Sequence, residues 1–140
     1  MDPNVVDRHD LSLEAARRLV QIVVSGAEAE QVALTVAVVD AAGTLIAFER
    51  MDRAPRFSAQ LAVVKARTAA TFGNSTSRLE LTFRDRAVFA NTFARQGDWY
   101  FGRGGFPIHV GGEVVGGIGV SGETAEREEE LARRAAVSLS

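Results

Sequence analysis

The stretch FGRGGFPIHVGGEVVGGIGVSGETAE, Phe101 to Glu126, holds nine of the thirteen glycines in a chain of 140 residues. Its reading decides the fold, because glycine at this density serves a phosphate cradle, a ligand floor or close packing. Phe106–Val110 and Glu113–Ser121 read as strands flanking Gly111-Gly112, a two-residue connection in which both positions can take positive φ, so a hairpin is expected. Along the return strand Val114, Gly116, Ile118 and Val120 fall on one face, and Val115, Gly117, Gly119 and Ser121 on the other. That second face loses its side chains where a helix, a second subunit or a flat ligand could lie against bare backbone.

Gly117-Ile118-Gly119-Val120-Ser121-Gly122 also spells G-x-G-x-x-G, a pattern that in a parallel βαβ unit seats a pyrophosphate on a helix N-terminus. Here the preceding strands form a hairpin, the following helix opens with Glu123 and Glu126, and only eighteen residues remain after Gly122. That is too few for the second strand and the acidic ribose contact about 20 residues further on. No nicotinamide or flavin cofactor is expected.

Working outward, Thr124–Leu139 closes the chain as a helix whose glutamates crowd the first turns, where the dipole favours them. Upstream, Leu13, Ala16, Leu19, Val20, Val23 and Val24 share one face of a helix over Ser12–Ala29, with Gly26 near its end. Ala33–Asp40 and Thr44–Arg50 are apolar, β-branched runs joined by the turn residues Asp40–Gly43, which is a second hairpin. A helix is expected over Ser58–Phe72, stopped by Gly73 and Asn74. Arg78–Arg95 fits no single period and reads as a helix broken by irregular chain. The order α, ββ, α, irregular, ββ, α describes an antiparallel sheet backed by helices.

The bulk properties bound the function. The chain is 46% hydrophobic and 24% charged, with a net charge of −2, which suits one domain over 1–140 with residues 1–10 as a mobile arm. No basic patch invites nucleic acid or an anionic membrane surface. No apolar run approaches the roughly 20 residues of a membrane helix, and the polar start MDPNVVDRHD is unlike a signal peptide, so a cytoplasmic protein is expected. Cysteine is absent, which removes disulfides, thiolate nucleophiles and Cys-based metal sites.

Fifteen arginines accompany a single lysine, Lys65, which falls in the middle of the apolar stripe of Ser58–Phe72. A buried ammonium needs a partner or a depressed pKa. Lys65 therefore snorkels to the edge or pairs with Asp40 or Asp52, or it faces a pocket as a carboxylate anchor or acid–base group. His109 lies on the Phe106–Val110 strand, opposite Phe106 and Ile108, and is a candidate ligand or proton carrier if that face meets a cavity. Trp99, Tyr100, Phe101 and Phe106 sit among glycines, either as a lid over a flat ligand or as an anchor to the core.

Several separated motifs occur in order: Val38-Val39-Asp40 with Gly43; Arg50-Met51-Asp52; Lys65-Ala66 with Thr68-Ala69; and Gly105-x-Pro107-Ile108 leading to Gly116-x-Ile118-Gly119-Val120-Ser121-Gly122. Together they resemble the GlcG/HbpS family, the haem-degrading-domain-like proteins also found as the C-terminal domain of PduO-type proteins. The resemblance implies an α/β (α+β), profilin-like fold with an antiparallel sheet of about five strands flanked by helices. It also implies homo-oligomers and ligands such as haem, iron or cobalamin-related molecules. Two functions follow as expectations. One is an oligomeric binding protein for haem or another flat, partly anionic ligand. Lys65, Arg50, Met51, Tyr100, Arg103, Gly117 and Gly119 would bind it, with His109, Tyr100 or Met51 as iron ligand. The alternative is a cofactor-independent isomerase, lyase or cyclase using Lys65, His109 and Asp52.

Overall fold

The computed structural model describes all residues from Met1 to Ser140. Nine elements follow one another: α1 (Leu13–Ala29), β1 (Thr35–Asp40), β2 (Leu45–Arg50), α2 (Ser58–Phe72), α3 (Thr76–Phe83), α4 (Ala87–Gly97), β3 (Gly105–Val110), β4 (Glu113–Ser121) and α5 (Ala125–Val137). The sheet has four strands rather than about five, ordered β2-β1-β4-β3 and antiparallel throughout. The two expected hairpins meet along β1 and β4, with Thr35 opposite Ser121 and Asp40 opposite Gly116. Gly111 and Gly112 take φ of 60° and 81° and turn the second hairpin.

The sheet is covered on both faces. Val36, Val38, Ile108, Ile118 and Val120 join the apolar stripes of α1 and α5 in one core, while Ala37 and Val39 meet Ala62, Ala66 and Ala70 of α2 on the other side. Five of the six β1 residues are buried, as an unbroken apolar strand covered on both faces requires. Each large aliphatic side chain enclosed this way contributes about 1.5–3 kcal/mol of transfer free energy.

Helix starts follow local capping. Ser12, Ser75 and Thr124 each accept a hydrogen bond from the backbone N–H three residues on, at 3.1, 3.2 and 3.3 Å. α2 ends at Gly73, which takes φ of 65°. The stretch Arg78–Arg95 resolves into two helices because Arg86, at φ −130° and ψ 54°, leaves helical space between them. Gly26 lies near the end of α1, in its last turn, where an added Cβ would come within 2.6 Å of Leu131 on α5.

One expectation changes. The alternation of β4 breaks where the β3–β4 register shifts between Ile108 and His109. Val115 consequently packs into the α1–α5 core, and Val114 turns toward Gly73 at the end of α2, the reverse of strict alternation. The N-terminal arm is tied down at its far end: His9 bonds Glu113 through its backbone N–H and its ring, and the Leu11 N–H donates to the Val115 carbonyl at 3.0 Å.

Candidate functional site

The glycine-bared face of β4 is where α2 lies. A Cβ at Gly117 would stand 2.2 Å from the Ala66 carbonyl oxygen, and one at Gly119 would stand 2.1 Å from that of Ala62. Those backbone atoms occupy the space a flat ligand would need. Gly117 and Gly119 thus serve helix-on-sheet packing, and the ligand floor expected there is filled by the chain itself.

The same close approach decides the place of Lys65. With Ala62, Ala66 and Ala70 set against glycine, the lysine one residue from Ala66 is drawn inside and is 1% exposed. Its ammonium donates to the Val120 carbonyl at 3.0 Å and to Glu128 Oε1 at 2.9 Å. Gly104 lies directly over it, since a Cβ there would be 3.0 Å from Nζ. Glu128 is buried too, and its second oxygen accepts from the backbone N–H of Gly122 and Glu123 at 2.8 and 3.2 Å. The partner is therefore Glu128 on α5, not Asp40 or Asp52. Nothing in the spacing of residues 65 and 128 announces that pairing, because it depends on α5 folding back beside the end of β4.

Tyr100 lies over this ion pair. Its ring centroid is 5.3 Å from Lys65 Nζ, and its backbone N–H donates to Thr68 Oγ1 at 2.9 Å. Partial burial, followed by the charges of Glu128 and Glu80, raises the phenol above its ordinary pKa. Its neighbours Trp99 and Phe101 join an aromatic cluster built on Phe72, Phe83 and Phe93. Ring centroids there lie 4.8 Å apart for Phe72–Trp99 and 4.9 Å for both Phe93–Trp99 and Phe83–Phe101, the edge and offset arrangements that rings favour. The loop is thus anchored through Trp99 and Phe101, and Phe106 turns into the α1–α5 core.

Two grooves meet at this loop. One, of about 460 Å³, runs between α3 and α4 past Phe83, Arg84, Asn91, Trp99, Tyr100 and Glu80. The other, of about 360 Å³, runs along α2 past Phe57, Leu61, Val64, Asp98 and again Trp99 and Tyr100. A larger cleft of about 500 Å³ between α1 and β2 has Phe48 as its sole aromatic wall and contains none of the expected residues. The paired grooves offer what recognition of a flat ligand needs: apolar aromatic walls with a few polar groups converging on them.

The remaining expected residues are dispersed. His109 lines a separate groove of about 290 Å³ at the β3 edge, with Phe106, Pro107, Asn74 and Val137. Met51 packs against the α1–α5 core. Arg50 ends β2 in an exposed position, and Asp52 lies exposed in the turn beyond it. Arg103 stands 3.7 Å from Glu126. No hydrogen bond or ion pair joins any two of Lys65, His109 and Asp52, so the chain does not assemble them as an acid–base set. The polar residues that do line the paired grooves and were not expected there are Glu80, Arg84, Asn91, Gln60 and Asp98. Only the irregular period of Arg78–Arg95 hinted that this segment answers to something other than the core.

Comparison with known proteins agrees with the architecture. The chain is 30% identical over 126 residues to an uncharacterised 15.0 kDa protein in the dhaT-dhaS intergenic region of Citrobacter freundii, covering 89% of each. It is also 30% identical over 130 residues to the corrinoid adenosyltransferase PduO of Citrobacter freundii, matching 92% of this chain but only 39% of that protein's length. Among solved structures, the PduOC:haem complex superposes with a TM-score of 0.84 at 30% identity, over 92% of this chain and 94% of that one. The family described as haem degrading protein HbpS-like matches residues 11–137. On that match, spanning the sheet, its flanking helices and the aromatic loop, the chain belongs to the HbpS-like family.

Proposed function

We propose that this protein is a small-molecule-binding subunit that seats a flat, partly anionic ligand, with haem the leading candidate, in the paired grooves at Trp99 and Tyr100. The observation that carries the reading is that two apolar grooves share the same two aromatic side chains, so one extended planar body can lie across both. Their volumes, about 460 and 360 Å³, lie within the range of about 300–1,000 Å³ common to ligand pockets. A relative of like fold has been crystallised with haem.

The grooves suit a macrocycle better than they suit its iron. Haem iron takes an imidazole, thiolate, thioether or phenolate. Met51 is held against the core, and Tyr100 is kept as a phenol by burial and by two carboxylates. His109 presents its ring to a different groove. We therefore assign the macrocycle to the aromatic loop, and the His109 groove stands as the competing position for a haem ligated by that imidazole. A homo-oligomer belongs to the same proposal. No residue of α4 is buried, and Val88 and Leu81 are 83% and 62% exposed, which leaves apolar surface for a second copy.

Haemin titration followed by the Soret band, with native mass spectrometry for stoichiometry, tests this. Tyr100→Ala and Trp99→Leu are each expected to weaken haemin by about tenfold or more, as loss of a central aromatic anchor does. Undiminished affinity in both variants would remove the paired grooves from consideration. Loss of haemin binding in His109→Ala, with Tyr100→Ala and Trp99→Leu unaffected, would place the haem in the His109 groove instead.

A further inference from the structure

We infer that Arg84 reads the anionic edge of the ligand and that Glu80 orients it, so that the paired grooves select flat molecules carrying carboxylate on one edge only. This rests on the groove reading proposed above.

Three cations stood out in the sequence as partners for ligand carboxylates, and none is available in the grooves. Lys65 is enclosed by Glu128 and the Val120 carbonyl. Arg103 faces Glu126, and Arg50 lines neither groove. The charged side chains that do line them are Glu80, Arg84 and Asp98. Asp98 is already paired, with Arg67 at 3.2 Å. Glu80 and Arg84 are not: they are four residues apart on one helical surface, a spacing at which opposite charges commonly close on each other, yet neither forms an ion pair with the other or with any third group. The groove thus presents an uncommitted guanidinium beside apolar walls.

A guanidinium holds a carboxylate through two parallel N–H donors. An apolar body seated on Trp99 and Tyr100 excludes water from the rim, which strengthens that pairing. Glu80 works in the opposite sense. It lies close enough to Tyr100 for its charge to act on the phenol, and Arg84 is one turn, about 6 Å, further along the helix axis. A second anion near Tyr100 would meet Glu80, whereas an uncharged acceptor there would take the phenol's proton in a hydrogen bond. The anionic edge accordingly lies at Arg84 and the apolar body extends past Tyr100.

The test compares haemin with its dimethyl ester, which has the same macrocycle and no free carboxylate. Quenching of Trp99, the only tryptophan, reports binding of either compound, and a weakened quenching curve in Tyr100→Ala assigns that binding to the groove. The wild-type protein is expected to prefer haemin by about tenfold. R84Q should abolish that preference while still binding the ester, R84K should restore part of it, and E80Q should widen it, because the charge that repels an anion is gone. An unchanged preference in E80Q would remove Glu80 from the assignment. Preference surviving in R84Q, or equal weakening of both compounds, overturns the assignment of Arg84. Equal wild-type binding of haemin and ester also overturns it but leaves the groove reading standing, whereas failure of both to bind removes the two together.

Discussion

Tyr100 is the one tyrosine of the chain, so its ionisation can be followed without interference. Burial, Glu128 and Glu80 all disfavour the phenolate. Absorbance at 295 nm should show a midpoint above the ordinary tyrosine value of about 10, and Glu80→Gln should lower that midpoint. The sign for stability follows. The folded state holds its proton more tightly than the unfolded chain, so stability is fully present below the unfolded value. It declines as pH rises from there through the folded one. An unshifted midpoint would place the ring farther from the carboxylates than described. Lys65 shows what one residue can and cannot disclose. Its position in the apolar stripe was legible, because helical period alone puts it inward. Its partner was not, because Glu128 reaches it only through the path of a different element.

At the scale of elements, the ion pair joins α2 to α5 across the end of β4. Both side chains are almost fully removed from water, at 2% and 9% exposure, so stranding either one is costly, about 3–5 kcal/mol. Glu128→Gln and Lys65→Met should each lower the urea midpoint markedly. The double variant should be more stable than Glu128→Gln alone, because the ammonium left without a counterion is gone. Additive losses would mean that the two groups act separately. The elements themselves were largely readable: α2 occupies the residues its period indicated, and both hairpins form at their turn signals. The register shift in β4 was not readable, since a bulge is set by how two strands meet. The division of 76–97 into two helices was blurred because α4 buries nothing. A helix with no core face has no core-directed period to display, and the groove it lines was hidden with it.

Across the whole molecule, order and recognition occupy different regions. β1 and β4 are held from both faces by three helices, whereas α3 and α4 are held by an aromatic cluster and one another. Hydrogen exchange should accordingly be slowest in residues 35–40 and 113–121 and, among the helices, fastest in 76–97. Saturating haemin should slow exchange chiefly over 76–101. Protection appearing instead around residues 73–75 and 106–109 would move the ligand to the His109 groove.

The close seating of α2 on Gly117 and Gly119 has a consequence for how such a chain can change over time. Where a methyl group would strike a carbonyl oxygen, the alphabet of tolerated residues shrinks to one, and the facing alanines of α2 are nearly as confined. The groove walls on α3 and α4 carry no such restriction, since replacing the exposed Arg84 or Asn91 disturbs no enclosed atom. Sequence drift is thereby steered away from the scaffold and toward the surface proposed for the ligand. A lineage built on this plan can exchange one small molecule for another without having to learn again how to fold.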